Sequence, residues 1–129
     1  MNTQSTNLLI GNTFPITHIR RVVHFTPQSL PQFQAAAANS IIYSFWGHPE
    51  TLKTASAAVG FDLTPDHGNP AARPVLGLSN QMLPLLNGIE FTDCWVVSPN
   101  YKENLRPPAG QAIVGDNIAS WQVLHLTWP

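Results

Sequence analysis

Apolar positions in the first part of the chain fall into short runs that are bounded by turn signals. Residues 8–10 are all apolar and are followed at once by Gly11 and Asn12, a pattern that predicts a buried strand ending in a tight turn. A second run, residues 19–25, contains isoleucine, two valines and phenylalanine. Because β-branched and aromatic residues favour extended backbone, this run predicts a second strand.

Two stretches that follow carry apolar residues at helical spacing. Thr26 and Pro27 have the form of an N-cap and a first-turn proline, so a helix is predicted over residues 28–44. Its apolar residues recur every three or four positions, and alanine is abundant between them. Residues 49–59 predict a second helix, which Gly60 closes as a C′ glycine.

The second half of the chain has more strand signals than helix signals. Residues 75–78 and 81–86 are short apolar runs, and the Asn-Gly pair at 87–88 predicts a turn. Residues 91–97 form the clearest strand of this half, since tryptophan and two valines lie at its centre. Residues 121–128 alternate between two faces and predict the last strand.

Polar and proline-rich segments separate these elements. Residues 64–74 and residues 98–110 are predicted as loops, and Asp116 is predicted to cap a short helical turn. At 129 residues the chain is long enough for one ordinary core and too short for two. We therefore expect residues 1–129 to form a single α/β domain, with a mixed sheet of about five strands flanked by helices.

Charge and cysteine content narrow the classes of function. With a net charge of −1 and only six lysines and arginines, the chain is not expected to bind long nucleic acid, whereas a small anionic ligand remains compatible. Residues 1–7 lack the basic and apolar regions of a signal peptide, and no apolar run approaches membrane-spanning length, so we expect no membrane association and a cytoplasmic location. The single cysteine, Cys94, is expected to be a small buried apolar residue rather than a nucleophile.

The junction between the two predicted helices carries the most distinctive chemistry. His48 lies between Gly47 and Pro49, at or next to the N-cap of the helix that follows. Free backbone N–H groups and the positive end of the helix dipole favour anions there, so a histidine could hold and protonate an anionic group. Alternatively, His48 is a capping residue packed against Trp46. The other histidines are not at metal-ligand spacing, and no metal is expected.

Three blocks of sequence, in this order, resemble the viral type III anti-CRISPR ring nucleases. They are Leu-Ile-Gly-Asn-Thr-Phe at residues 9–14, Ser-Phe-Trp-Gly-His-Pro-Glu-Thr at residues 44–51, and Leu-Arg-Pro-Pro-Ala-Gly at residues 105–110. The resemblance implies a small α/β homodimer of viral origin, acting in the host cytoplasm. It also implies that a ring of four adenylates, the second messenger of type III CRISPR immunity, binds across the dimer interface. The ring is cut without metal or cofactor, leaving a 2′,3′-cyclic phosphate.

The same resemblance implies roles for individual residues. His48 matches the histidine that acts as general acid, and Arg106 matches the arginine that clamps the scissile phosphate. Alternatively, Arg106 is a solvated loop cation. The remaining ligand contacts that the resemblance implies are Gly11, Asn12, Thr13, Trp46, Gly47 and Arg73.

Several of these residues also have a purely structural interpretation. Asn12 and Thr13 could form a turn with local hydrogen bonds, and Trp46 could be a core or interface residue rather than a platform for adenine. The family's loop glutamate falls on Ala109, and Pro15 stands where relatives often carry serine. The sequence therefore leaves open a weakly catalytic or non-catalytic protein that sequesters a cyclic nucleotide, and an interaction module whose pocket is vestigial.

Overall fold

Eight strands and two α-helices make up the described part of the chain. The structure is a computed structural model and describes residues 6–47, 49–65, 75–102 and 118–129. In chain order the elements are β1 (Thr6–Gly11), β2 (His24–Gln28), α1 (Leu30–Ala38), β3 (Ser40–Ser44), α2 (Pro49–Val59), β4 (Gly77–Leu78), β5 (Pro84–Leu86), β6 (Ile89–Glu90), β7 (Cys94–Tyr101) and β8 (Ile118–Thr127).

A mixed five-stranded sheet forms the centre of the molecule. Its strand order is β2-β8-β7-β1-β3, and β4, β5 and β6 form a separate antiparallel sheet. Strand β1 is parallel to both of its neighbours, β3 and β7, whereas β8 is antiparallel to β7 and to β2. The α/β class and the mixed five-stranded sheet predicted from the sequence are therefore confirmed.

The two faces of the large sheet are covered by different layers. Because side chains alternate along a strand, Leu8 and Ile10 of β1 lie on one face and Leu9 lies on the other. The first face packs against residues of both helices, including Phe33 and Val59, whereas Leu9 belongs to a cluster with residues of the small sheet and the segment beside it. The expectation of flanking helices is thus met on one face, and the β4–β6 sheet covers the other.

The long helix predicted over residues 28–44 is wrong, because this stretch divides into a helix and a strand. Helix α1 starts after Ser29, whose hydroxyl accepts from the Gln32 N–H while the Gln32 side chain accepts from the Ser29 N–H. The helix ends at Ala38, and residues 40–44 form β3 in parallel with β1. Two isoleucines and a tyrosine in β3 suit extended backbone, and the hydrogen bonds to β1 outweigh the helical spacing.

The strand predicted over residues 19–25 is also wrong in its position. The strand is His24–Gln28, so Pro27 lies in a strand and not in the first turn of a helix. Strand β2 is at the edge of the sheet and pairs with β8 alone, and an edge position is where a residue without an N–H can be accommodated. A 3-10 turn, Ile16–His18, precedes it, and the Arg21 guanidinium donates to the Gln81 and Pro129 carbonyls over 3.2 and 2.6 Å.

Predictions that rest on local signals agree better with the structure. Helix α2 has the predicted bounds, and Gly60 after it has φ +82°. Asn87 and Gly88 have φ 52° and 79° and connect β5 to β6 as a tight turn. Asp116 and most of the two predicted loops lie outside the described residues. Among the described helices, neither has the length and apolar character that crossing a membrane requires.

The last two strands are displaced from the predicted bounds, since β7 starts at Cys94 rather than at residue 91 and runs on to Tyr101. Residues 98–101, expected to be loop, continue β7 and pair with β8 as far as Tyr101. Strand β8 begins at Ile118, three residues before the predicted start. Residues 98–101 do not alternate between apolar and polar, so no local pattern predicts that they form a strand. Backbone pairing between β7 and β8 extends both strands instead.

Cys94 should be unreactive in the folded protein. It is fully buried in β7, and burial raises the pKa of its thiol well above the ordinary value, with the Asp93 charge adding to the shift. Because it is the only cysteine, Ellman's reagent at pH 8 reports on this thiol alone. We expect the native protein to react at least ~100-fold more slowly than the urea-unfolded chain. Equal rates would show that β7 is not packed as described.

Candidate functional site

The ends of β1 and β3 meet at one edge of the large sheet. The strands are parallel and adjacent, so their carboxyl ends, Gly11 and Ser44, lie side by side. The Phe45 N–H donates to the Ile10 carbonyl over 2.9 Å, which carries the pairing one residue beyond β3. In open α/β sheets, ligands bind outside the carboxyl ends of the strands, so the two loops that leave this edge form the candidate site.

Asn12 joins the two loops and connects them to β7. Its side-chain Oδ1 accepts a hydrogen bond from the Gly47 N–H over 3.0 Å. Its backbone carbonyl accepts from the Ser98 hydroxyl over 3.0 Å. One residue therefore ties the loop after β1 to the junction after β3 on one side and to β7 on the other. Asn12 therefore bonds to residues that are distant in the sequence, and not only to its own turn, as the purely structural interpretation expects.

Gly11 is required by packing. A Cβ at this position would lie 2.5 and 2.7 Å from Cε2 and Cε1 of Phe45, and closer still to Cζ. The Phe45 ring cannot easily move away, because it is only 8% exposed and meets the Phe14 ring edge-on at 6.4 Å. The absence of a side chain at Gly11 therefore lets Phe45 pack over the end of β1.

Gly47 differs from Gly11 in having no close neighbour among the described residues. It is exposed, its φ lies outside the left-handed region, and the nearest atom to an added Cβ would be Asn12 Oδ1 at 3.9 Å. Neither backbone conformation nor contact with the described residues requires glycine here. Thr13, next to Asn12 on the other loop, is also exposed. Within the described part of the chain, the site is thus tightly packed at Gly11 and has no close contact at Gly47.

Trp46 supports the junction from inside the core. Its ring is 3% exposed and belongs to the cluster beneath the helices. Its indole N–H donates to the Thr51 hydroxyl over 2.7 Å, and its backbone N–H donates to the Ser44 hydroxyl over 3.2 Å. The core interpretation of Trp46 is favoured over adenine stacking, because a buried ring offers no free face to a base. Its contact with Thr51 instead fixes the junction to the first turn of α2.

Three of the predicted site residues, His48, Arg73 and Arg106, lie outside the described residues, so their roles stay predictions. Of the other five, the structure brings Gly11, Asn12 and Gly47 together, places Thr13 beside them, and buries Trp46. Ser98, which the sequence placed in a loop, is the residue that sequence reasoning missed. Pairing between β7 and β8 positions it, and a polar residue just after an apolar strand gave only a weak indication.

A second polar cluster lies away from this edge. His125 Nε2 and Asp93 Oδ1 are 2.6 Å apart, and the Trp95 indole N–H donates to the same oxygen over 3.0 Å. The rings of Trp95 and His125 are cross-strand neighbours and stack at 4.2 Å. Such a pair stabilises the β7–β8 ladder. In the described part of the chain, no three histidine, cysteine or acidic residues are grouped as a metal site would require.

The two site glycines should respond differently to alanine. We expect Gly11→Ala to lower the free energy of unfolding by about 1–3 kcal/mol, because the new methyl group overlaps the Phe45 ring. Gly47→Ala is the matched control and should stay within about 0.5 kcal/mol of the parent, since the nearest described atom would lie 3.9 Å from the new Cβ. Urea unfolding followed by tryptophan fluorescence measures both. Equal losses in the two variants would contradict the packing of Phe45 over Gly11.

Comparison with known proteins does not identify a family for this chain. No family model matches its sequence, and a search of curated proteins finds no match either. Arguments about what the site does therefore start from its own residues and from the way in which β1, β3 and β7 bring them together.

Proposed function

We propose that this protein binds a cyclic oligoadenylate, with the ring of four adenylates as the first candidate, and cleaves it without a metal ion. The observation that carries the proposal is the hydrogen bond from the Gly47 N–H to Asn12 Oδ1. It joins two of the three sequence blocks that resemble ring nucleases, at the strand ends where α/β proteins bind nucleotides. Sequence order alone could not establish that contact.

The proposed chemistry needs no nucleophile from the protein. A 2′-hydroxyl of the ring loses its proton to water and attacks the adjacent phosphorus, so that a bond from O2′ to phosphorus forms and the bond from phosphorus to O5′ breaks. The products are a 2′,3′-cyclic phosphate and a 5′-hydroxyl. The buried thiol of Cys94, with its raised pKa, is compatible with a mechanism in which the protein supplies no thiolate.

The protein would then supply a proton donor and charge stabilisation. His48 donates the proton to the departing O5′, a role suited to an imidazole, whose ordinary pKa is about 6.5. The Arg106 guanidinium offsets the charge that develops on the phosphate oxygens. Both assignments come from the sequence blocks. Gly47, the residue before His48, is held by Asn12, so the chain that leads into the proposed acid has a fixed starting point.

The proposal includes a homodimer that acts in the cytoplasm of a host cell. Six lysines and arginines are a modest number for a ligand with four phosphates, and two copies of the chain related by two-fold symmetry would double that number. Removing the ring would silence a type III CRISPR response or a related cyclic-nucleotide defence. In this proposal the protein is a viral protein, and it does not bind long nucleic acid.

A second candidate function is sequestration of the ring without turnover. The observation that favours it is Ala109, which stands where the resembling family has a glutamate. A carboxylate there could orient the arginine or a ribose, and its loss weakens catalysis more than binding. Such a protein would bind the ring stoichiometrically and release it intact. The two candidates share one site and differ only in whether a phosphodiester bond is broken.

Cleavage should depend on His48. Purified protein is incubated with cyclic oligoadenylates and cyclic dinucleotides in excess chelator, and the denatured mixture is separated by chromatography. We expect a linear product ending in 2′,3′-cyclic phosphate, and a rate reduced about 10²- to 10⁴-fold by His48→Ala with binding retained. His24→Ala, which changes an exposed histidine on β2, is the matched control and should cleave at the parent rate.

Two results would contradict this assignment. If His48→Ala cleaves as fast as the parent protein, His48 is not the acid. If the ring travels with the native protein and is recovered intact after denaturation, the protein sequesters the ring and the cleavage proposal fails. Absence of binding to every member of the panel would overturn the proposed function as a whole.

A further inference from the structure

Strand β3 directs one row of backbone groups away from the sheet. It lies at the edge of the large sheet and pairs with β1 alone. The Phe45 N–H donates to the Ile10 carbonyl, and Ile10 is in register with Ser44. Because the backbone groups of successive residues alternate between the two sides of a strand, the odd-numbered residues of β3 bond to β1. The N–H and C=O groups of Ser40, Ile42 and Ser44 therefore point outward, where another strand could bond to them.

The two edges of the large sheet differ in how they are protected. Edge strands usually carry a proline, a charged residue or a bulge that prevents pairing with another chain. The opposite edge, β2, contains Pro27, which has no N–H to donate. Strand β3 has the sequence Ser-Ile-Ile-Tyr-Ser, without proline or charge, and its Ile41 side chain is 51% exposed. Of the two edges, β3 is the one left open for pairing.

The absence of charge extends beyond the strand. Residues 25–47 contain no lysine, arginine, aspartate, glutamate or histidine, although the chain has six basic and seven acidic residues. This segment includes α1, whose last turn contacts β3 through the hydrogen bond from the Ser40 hydroxyl to the Ala36 carbonyl at 2.8 Å. A second copy of this surface would therefore meet no like charge, and no charged group would lose its hydration on contact.

The sequence of β3 is complementary to itself in the antiparallel direction. Pairing of two copies about Ile42 places Ser40 opposite Ser44 of the second copy, and Ile41 opposite Tyr43 of the second copy. The two Ile42 residues then exchange N–H···O bonds across the two-fold axis, because their backbone groups point outward. Tyr43 belongs to the cluster on the face away from the helices, and Ile41 shares that face. A β-branched residue opposite an aromatic ring is a favourable cross-strand pair.

We propose that β3 is an interaction surface for a second copy of this chain, and that antiparallel pairing of the two β3 strands joins their sheets into one. The pairing covers the exposed Ile41 of each copy and bonds the outward backbone groups of Ile42. Two strands of five residues bury less than the about 1,200 Å² that a stable interface requires, so the flank of α1 contributes as well. Association through this surface therefore depends on protein concentration.

This interface is separate from the proposed function. In an antiparallel pair the carboxyl ends of the two β3 strands point in opposite directions, so the two candidate sites lie at opposite ends of the pair. Gly47 is five residues from the two-fold axis at Ile42, which puts the two sites roughly 30 Å apart. Each copy would therefore bind its own ligand at this interface, and a ring shared by two copies would need a different contact.

Size-exclusion chromatography with light scattering, carried out without ligand, tests the association. We expect the mass of the parent protein to rise with concentration towards at least twice the 14.1 kDa of one chain. Ile41→Lys replaces the exposed apolar contact by a charge and should halve the mass at the same concentration. Val22→Lys is the matched control and should behave as the parent, because Val22 is 65% exposed and lies outside β3. Equal masses for the parent and a folded Ile41→Lys variant overturn the proposal.

Amide hydrogen exchange at Ile42 tests the pairing itself. Because the Ile42 N–H points away from β1, its exchange should slow at least ~10-fold as the protein is concentrated. The amides of Ile41 and Tyr43 face β1 and should change less. In Ile41→Lys the exchange rate at Ile42 should not depend on concentration. Exchange at Ile42 that stays equally fast at every concentration of the parent protein overturns the pairing. Both measurements omit the ring, so failure of the proposed function leaves this interface untouched.

A disulfide tests the register. Ile41 and Tyr43 of the second copy form a non-hydrogen-bonded pair, the type in which cross-strand side chains lie closest. Mild oxidation of a mixture of Ile41→Cys and Tyr43→Cys should therefore link the two unlike chains, as detected by mass spectrometry. Cys94 is buried and does not compete. A mixture of Val22→Cys and Tyr43→Cys is the control, and linkage no greater than in this control contradicts the pairing.

Discussion

The parallel pairing of β1 with β3 is the constraint on which the rest of the structure depends. It aligns Leu8 with Ile42 and Ile10 with Ser44, so the two strands end together at one edge of the sheet. Parallel neighbours need a crossover, and α1 forms part of the connection between them. The same pairing buries Leu8 and Ile10 beneath the helices and brings the loop after β1 within hydrogen-bonding distance of the junction after β3.

Local signals were sufficient to predict some elements from the sequence. Helix α2 has an N-terminal proline, a regular apolar face and a closing glycine, and all three act within the segment itself. Residues 28–44 were harder, because the apolar positions expected for one long helix run on into β3. Their division depends on hydrogen bonds to β1, which lies about 30 residues away in the sequence. Propensity within the segment does not contain that information.

The site shows the same separation between local and long-range information. That the loops of Asn12 and Gly47 carry chemistry was predicted from sequence blocks and stays a prediction. The loop of Asn12 follows a strand as expected, whereas Gly47 follows strand β3 and not a helix. Their mutual hydrogen bond and the contribution of Ser98 could not be predicted, because both require the sheet order β7-β1-β3. A serine after an apolar run is equally compatible with a loop and with a strand that continues into solvent.

Gly11 and Gly47 show what the structure adds to the sequence. In the sequence both are glycines next to a predicted turn, and either could be retained for packing or for a ligand. In the structure, Gly11 is packed against the Phe45 ring, which accounts for the missing side chain entirely. Among the described residues Gly47 has no such neighbour, and the atom nearest to an added Cβ would be Asn12 Oδ1, which accepts from the Gly47 N–H. A glycine can be interpreted as functional only after the packing around it has been examined, and the described residues account for Gly11 but not for Gly47.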